Sequence, residues 1–231
     1  MKFKPTLPIV TLVHRYKRFL VDVIDENGRT FTVHCPNTGS MLGCQAPGSA
    51  AAISYSDNSG RKYRHSLEMV RENGVWIGVN TARTNDLVAE ALVAGIIDGF
   101  DASWRIRREV AVAGGSRLDF CLERDAKNVY LEIKNCSLAV DGRALFPDAA
   151  TERGRRHLGV LTGLKQEGHG AGILFLVQRE DAFAFSPADH IDPDYGQALR
   201  QAAAAGVRIM AYGCAVSPTG IEVVRALPCI L

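Results

Sequence analysis

The sequence lacks any apolar run long enough to span a bilayer, and its first residues, Met1-Lys2-Phe3-Lys4-Pro5, do not begin a secretory signal peptide. We therefore expect a cytoplasmic protein with no membrane partner. Its 231 residues are 47% hydrophobic, which is enough apolar material for the core of one large domain or two small ones.

Metal-finger and hydrolase motifs are also missing. The six cysteines include no CxxC pair, and His34-Cys35 with Cys44 would give a structural zinc ion too few ligands. No GxSxG sequence supports a serine hydrolase. The glycines of residues 168–172 precede a predicted strand, whereas a phosphate-binding loop follows a strand and opens a helix.

Positive charge is clustered, although the net charge is only +2. Residues 1–18 contain five cations and no acid, and further basic clusters occur at residues 61–64, 105–108 and 153–156. Several basic surfaces suit a protein that follows a phosphate backbone, so we expect DNA, bound nonspecifically, as partner; each cluster alone is equally typical of a solvated face. The expected DNA contacts in this half are Arg15, Lys17, Arg18, Arg61 and Lys62, with Tyr16, Phe19 and Tyr63 as stacking partners or core residues.

Residues 1–83 have the pattern of a small β domain. Alternating or apolar segments predict strands over residues 19–24, 30–34, 51–56, 65–70 and 75–79, and the turns between them include Asp25–Gly28, Asp57–Gly60 and Glu72–Gly74. Short, closely spaced strands of this number favour an OB-like β-barrel.

Residues 84–231 alternate between helix and strand patterns. Thr84 or Asn85 is a suitable cap for a helix, and strands are predicted over 104–112, 117–122 and 129–134, the first two joined at a turn of residues 114–115. A helix over 149–165, a strand over 173–177, a helix over 194–205 and a strand over 207–212 follow. The whole is a two-domain α+β or α/β protein whose second domain has the order αβββαβ.

One strand of this domain carries a carboxylate and an ammonium group side by side. Side chains alternate along a strand, so Glu132 and Lys134 project from the face opposite Leu131 and Ile133. Asp119 lies on the preceding strand and can converge with Glu132 on one cation. The alternative is a solvated edge.

Asp119, twelve intervening residues and Glu132-x-Lys134, within αβββαβ, resemble the PD-(D/E)xK core of restriction-endonuclease-like enzymes. That resemblance implies that Asp119 and Glu132 bind Mg²⁺ or Mn²⁺, that Lys134 assists the attacking water, and that Glu90 on the preceding helix joins them as a catalytic and metal-binding residue. Glu90 also fits an ordinary solvated position. Arg117-Leu118 stands where the motif has proline.

A second resemblance extends along nearly the whole chain, to the sugar fermentation stimulation protein (SfsA) family. It is carried by the following segments: residues 15–19, 34–41, 61–63, 76–81, 116–120, 146–149, 151–154 and 157–158. It implies an OB-like domain, a nuclease-like domain, sequence-independent DNA binding and a role in regulating sugar use, maltose in particular. Whether the nuclease-like site is active, or the fold serves only as a DNA clamp, stays open.

Three further residues are candidates for nucleic-acid contact. Asn37 lies in the loop 34–41, which is either a rim that contacts nucleic acid or a turn that requires its proline and glycine. Arg153 and His157 are four residues apart on a predicted helix, so both are expected to approach a phosphate held over Glu132. The alternative is that His157 packs with Leu158 and Leu161 while Arg153 is solvated.

Overall fold

The computed structural model describes residues 1–112 and 115–231. The N-terminal domain contains β1 (Ile9–Tyr16), β2 (Leu20–Ile24), β3 (Thr30–His34), β4 (Ala50–Tyr55), β5 (His65–Glu72) and β6 (Val75–Gly78). Their order in the sheet is β3-β2-β1-β4-β5-β6, and a parallel pair between His34 and Ser66 joins β3 to β5. This last pairing closes β1–β5 into the predicted OB-like barrel.

The barrel differs from the prediction at both ends. β1 was not among the predicted strands, because the charge of residues 14–18 obscures the alternation in which Val10 and Leu12 point into the core. The predicted strand over 75–79 is β6. It pairs with β5 but is not one of the five strands that close the barrel.

The C-terminal domain begins with a short 3₁₀ turn (Thr81–Arg83) and α1 (Thr84–Val93). Its other elements are β7 (Arg105–Ala111), β8 (Arg117–Arg124), β9 (Lys127–Cys136), β10 (Ala139–Val140), β11 (Arg143–Phe146), α2 (Glu152–Gln166), β12 (Gly170–Val177), β13 (Ala184–Pro187), α3 (Pro193–Ala204), β14 (Arg208–Ser217) and β15 (Gly220–Leu227). None of the helices in the described parts of the chain is long and apolar enough to cross a membrane.

A mixed sheet of order β15-β14-β12-β9-β8-β7 forms the centre of this domain. α1 packs on one face, and α2 and α3 pack on the other. The predicted αβββαβ order is therefore confirmed, whereas the small sheet β10-β11-β13 was not predicted. The predicted turn at residues 114–115 falls partly outside the described residues.

The start of α1 differs from the prediction that Thr84 or Asn85 caps it. The chain enters α1 directly from the 3₁₀ turn, and Asn80 caps that turn by accepting a hydrogen bond from Ala82 N at 3.0 Å. Thr84 is already helical, and the side chain of Asn85 is therefore available for the site described below.

The two domains share one hydrophobic core and several hydrogen bonds. Ala52 and Met69 of the barrel pack with Leu87 of α1 and with the central sheet. Gly78 N, at the end of the barrel domain, donates to Gln178 O of the C-terminal domain at 2.8 Å. The domains are thus fixed to one another, and the barrel loop 36–41 lies against the C-terminal domain.

Gly78 provides a test of this docking. A Cβ at this residue would lie 2.3 Å from Gln178 Oε1 and 2.9 Å from Gln178 Cβ, and Gln178 is fully buried. We expect Gly78→Ala to lower the free energy of unfolding by about 1–3 kcal/mol in urea titrations, because the overpacked interface must shift.

The matched control is Gly159→Ala on α2, where an added Cβ has no neighbour within 4 Å. It should raise the free energy of unfolding by about 0.4–1 kcal/mol, because alanine restricts the unfolded chain. Equal effects of the two substitutions would contradict tight packing at Gly78.

Candidate active site between the two domains

Glu132 is the central residue of the site. It is only 3% exposed, and its Oε1 accepts hydrogen bonds from Lys134 Nζ at 2.5 Å and from His157 Nδ1 on α2. Its Oε2 is buried and has no hydrogen-bond partner within the described part of the chain. One oxygen is therefore held in place by two donors while the other is left free to bind a ligand.

Opposing influences set the pKa of Glu132. Burial raises it, but the hydrogen bond from His157 and the charge and hydrogen bond of Lys134 together outweigh burial, and the pKa is lowered. The side chain is consequently an anion at neutral pH, despite its position inside the protein.

Asp119 reaches the same place through an opening in the sheet. The ladder between β8 and β9 starts at the pair Phe120–Leu131, and beyond it Asp119 Oδ2 accepts the backbone N–H of Ile133 at 2.7 Å. Asp119 Oδ1 accepts from Asn85 Nδ2 at 2.9 Å. The carboxylate thus takes the place of a backbone acceptor and is aimed toward β9.

The pKa of Asp119 moves in the opposite direction. Burial raises it, and the nearby charge of Glu132 raises it further; the bonds from Ile133 and Asn85 offset only part of this. Asp119 and Glu132 repel each other, and a divalent cation bound between two such carboxylates would reduce the repulsion.

A polar cavity of about 380 Å³ lies over these groups, between the domains. Its walls come from the barrel loop, the start of α1, β8, β9 and the segment after β11, and they include Thr38, Gly39, Thr84, Asn85, Asp119, Lys134 and Asp148. The acids Asp119 and Asp148 line the cavity with a single lysine, and Glu132 lies buried beside Lys134. This excess of negative charge attracts cations.

The residues fit an ion of the Mg²⁺ type better than zinc. In the described ranges, no group of three or more His, Cys, Asp or Glu side chains is arranged to hold a metal. Asp119 and the unpartnered Oε2 of Glu132 supply two oxygen ligands, and Mg²⁺ is usually bound by one or two carboxylates with water and substrate phosphate. A structural zinc site needs four protein ligands.

Comparison with known proteins decides the family. The model of the SfsA N-terminal OB domain matches residues 13–79, and that of the sugar fermentation stimulation protein RE domain matches residues 82–220. The chain belongs to the SfsA family.

Members of the SfsA family match the chain along its full length. A sugar fermentation stimulation protein homolog of Desulfotalea psychrophila is 49% identical, covering 100% of this chain and 95% of its own. A homolog of Thioalkalivibrio sulfidiphilus is also 49% identical, and the match covers 98% of this chain and 97% of that protein. The structure of Pyrococcus furiosus SfsA in complex with Ca²⁺ superposes with a TM-score of 0.91 at 26% identity, and the match covers 100% of this chain and 98% of that one.

Glu90 is not brought to Asp119 and Glu132, contrary to the prediction of a third ligand. It is 55% exposed, and its carboxylate pairs with the Met1 ammonium at 2.6 Å beside β14 and β15. The first turn of α1 faces the site, whereas Glu90 lies more than one turn further along. The residue that α1 contributes is Asn85, an amide that the motif does not indicate.

His157 and Arg153 are separated by burial. His157 is 3% exposed and bonded to Glu132, so it positions that carboxylate. The predicted contact with phosphate is therefore contradicted, and its burial agrees with the alternative prediction of a packed side chain. Arg153, one turn earlier on α2, is exposed.

Two predicted DNA contacts of the barrel instead organise its loop. The guanidinium of Arg15 donates to the carbonyls of Arg18, Asn37, Gly39 and Ser40 and to Gln45 Oε1. Asn37 is 5% exposed, and its side chain bonds Val79 O and Gly39 N. Both are structural residues of the loop: all the donors of Arg15 are used, and Asn37 donates one N–H to Val79 O and accepts from Gly39 N.

The other predicted cations remain at the surface. Lys17 and Arg18 are exposed in the turn between β1 and β2, next to Phe19, which is 48% exposed. Lys62 is exposed, while Arg61 is partly buried and donates to Ser66 Oγ at 2.8 Å.

Asp148 is a site residue that the sequence does not reveal, and Tyr195 is a buried residue whose pKa the site affects. Asp148 Oδ2 accepts from Ser40 Oγ at 3.0 Å and from Met41 N at 2.9 Å, which ties the barrel loop to the cavity wall. Tyr195 is fully buried, and burial followed by the charge of Glu132 raises its pKa. The bonds of Asp148 to Ser40 and Met41 join segments that are far apart in sequence, so no local pattern could have indicated them.

The bond from His157 to Glu132 can be tested by stability. We expect His157→Ala to lower the free energy of unfolding by about 2 kcal/mol, measured by urea titration at neutral pH, because a buried carboxylate loses a charge-assisted hydrogen bond. His157→Asn should lose less, since its amide can occupy the place of Nδ1. If the two variants lose equal amounts, the donor to Glu132 is not what stabilises this site.

Proposed function

We propose that the chain binds DNA without sequence preference and cleaves phosphodiester bonds with Mg²⁺ or Mn²⁺ at the site of Asp119, Glu132 and Lys134. The observation that carries the proposal is the buried Oε2 of Glu132, left without a protein partner in the described residues beside the Asp119 carboxylate. The Ca²⁺ in the P. furiosus relative supports it, because Ca²⁺ and Mg²⁺ both prefer carboxylate oxygen ligands.

The chain's own groups divide the work. Asp119 and Glu132 would hold the metal, which when bound supplies Lewis-acid polarisation of the phosphoryl oxygen and an activated water. Lys134 lines the cavity, where it orients the attacking water or offsets charge that develops on the phosphate. His157 keeps Glu132 in its orientation, and Arg153, exposed on α2, is the candidate partner of the scissile phosphate.

The barrel would hold the strand that is cut. Lys17, Arg18 and Lys62 are its exposed cations among the predicted contacts, and contacts to phosphate carry no sequence information. Phe19 adds an exposed ring on which an unpaired base can stack. A DNA substrate implies a cytoplasmic location, which is part of this proposal.

A second function, DNA binding without cleavage, is favoured by one observation. Two carboxylates, Asp119 and Glu132, are assigned to the metal, and Glu90, the expected third ligand, is directed elsewhere. In that case the nuclease-like domain is a clamp, Lys134 is a phosphate contact, and any influence on sugar or maltose metabolism follows from binding.

Metal-dependent cleavage separates the two functions. Pure protein incubated with labelled DNA should cut it in Mg²⁺ or Mn²⁺ and leave it intact in chelator. Asp119→Ala and Glu132→Ala should each lower the rate at least about 100-fold, and Lys134→Ala about 100-fold to 1000-fold, because each removes a group that stabilises the transition state. Binding measured by fluorescence anisotropy should persist in all three.

Glu90→Ala is the matched control, since it removes an exposed carboxylate of the same domain outside the site. Its rate should equal that of the unaltered protein. Binding without cleavage in every metal would establish the clamp, and loss of cleavage in Glu90→Ala would show that the site extends beyond the residues assigned here.

The role of the barrel is tested by salt dependence. Lys17→Asn combined with Arg18→Gly removes two charges. The new residues, Asn and Gly, tolerate the left-handed φ values of 50° and 64° at this turn. The slope of log K against log salt for single-stranded DNA should fall by about 1.4, because each lost phosphate contact removes roughly 0.7. The charge-conserving swap Lys17→Arg with Arg18→Lys should leave it unchanged, and an unchanged slope in the neutral variant would place the DNA on another surface.

A further inference from the structure

Asp119 and Lys134 line the cavity described above, and Glu132 lies directly behind Lys134, to which it is hydrogen-bonded. Glu132 is 3% exposed, and Asp119 is half-buried where the ladder between β8 and β9 opens. The cavity has a volume of about 380 Å³ and is walled by both domains. A phosphate must therefore enter a recess to meet Asp119 and Lys134.

The barrel side of this recess is held rigidly. Arg15 binds the carbonyls of Asn37, Gly39 and Ser40, and Asp148 binds Ser40 and Met41 from the opposite side. A Cβ on Gly39 would lie 3.0 Å from Asp148 Oδ2, so the loop is pressed against that carboxylate. Opening the recess would break several of these bonds together.

A rigid recess of this size discriminates between nucleic acids by shape. Its volume is at the small end of the ligand pockets of proteins, about 300–1,000 Å³, and suits one nucleotide unit. A duplex is stiff, and bringing one of its nucleotides into a pocket requires unstacking and unpairing at a cost of a few kcal/mol. An unpaired strand has no such cost.

The walls offer many hydrogen-bonding groups beside their apolar residues. Thr38, Thr84, Asn85 and Asn135 bring hydroxyl and amide groups to the cavity. β3 ends at His34, and the chain continues directly into the wall residues Asn37–Gly39. A nucleic-acid strand that lies on the barrel is thus next to the recess.

We infer that the site takes an unpaired nucleotide, so that the substrate is single-stranded nucleic acid and an intact duplex is not cut. This inference rests on the proposed nuclease function. It assigns Thr38 to the entrance of the recess and Asp148 to the support of its barrel side.

Cleavage of three DNAs of one sequence tests the inference: a single strand, a blunt duplex, and a duplex with a central unpaired segment. In Mn²⁺ we expect the single strand to be cut at least about 30-fold faster than the duplex, as the cost of unpairing implies. Cuts in the third DNA should be confined to its unpaired segment. Asp148→Ala releases the loop, and it should therefore lower the ratio of the cleavage rate of the single strand to that of the duplex.

A second measurement does not depend on catalysis. Thr38→Trp places an indole at the entrance, and in Ca²⁺ a bound single strand should change its fluorescence by stacking, whereas a bound duplex should not. Anisotropy confirms that both DNAs are bound, and Thr219→Trp, at the separate cavity beside β15, is the control for nonspecific quenching.

The outcomes distinguish this inference from the proposed function. Equal cleavage of single strand and duplex, or equal fluorescence changes, would overturn the inference and leave the nuclease intact. No cleavage in any metal, together with a fluorescence change for the single strand alone, would overturn the nuclease and support the recess as a binding site for an unpaired nucleotide.

Discussion

The buried carboxylate of Glu132 is the constraint on which the rest of the site depends. A charge inside a protein is tolerated only with partners, and removing one partner of a buried pair is strongly destabilising. Here Lys134 and His157 both bond Oε1 and leave Oε2 unpartnered within the described chain. The same two bonds keep the carboxylate ionised and leave Oε2 as a buried anionic oxygen without a partner, which is the ligand that the proposed metal site requires.

The surrounding fold supplies each partner by a different route. Strand alternation brings Lys134 to the same face as Glu132, α2 brings His157 down onto it, and the opening between β8 and β9 admits Asp119. The barrel completes the site by its loop, which Arg15 and Asp148 hold from both sides. The cavity is therefore a property of the docked domains, which explains why their interface is closely packed at Gly78.

Sequence patterns predicted those features that depend on local periodicity. Most of the strands, the αβββαβ order and the common face of Glu132 and Lys134 follow from alternation and turn residues, and the OB-like barrel follows from strand spacing, although β1 was missed. The exchange of Glu90 for Asn85 could not be predicted, since both lie on one helix and only packing decides which turn faces the sheet. The choice between nucleic-acid contact and a structural role for Arg15, Asn37 and His157 could not be made for a related reason. A cation, an amide or an imidazole looks the same in a sequence whether it faces solvent or is hydrogen-bonded to carbonyls and carboxylates within the fold.

The most direct test of this account is the position of a bound metal. A crystal grown with Mn²⁺ and measured for anomalous scattering should show an ion in contact with both the Asp119 carboxylate and Oε2 of Glu132, while Oε1 stays bonded to Lys134 and His157. An ion bound only elsewhere, for example beside Glu90, or no ion at saturating Mn²⁺, would contradict the claim that the free oxygen of Glu132 is prepared for a cation.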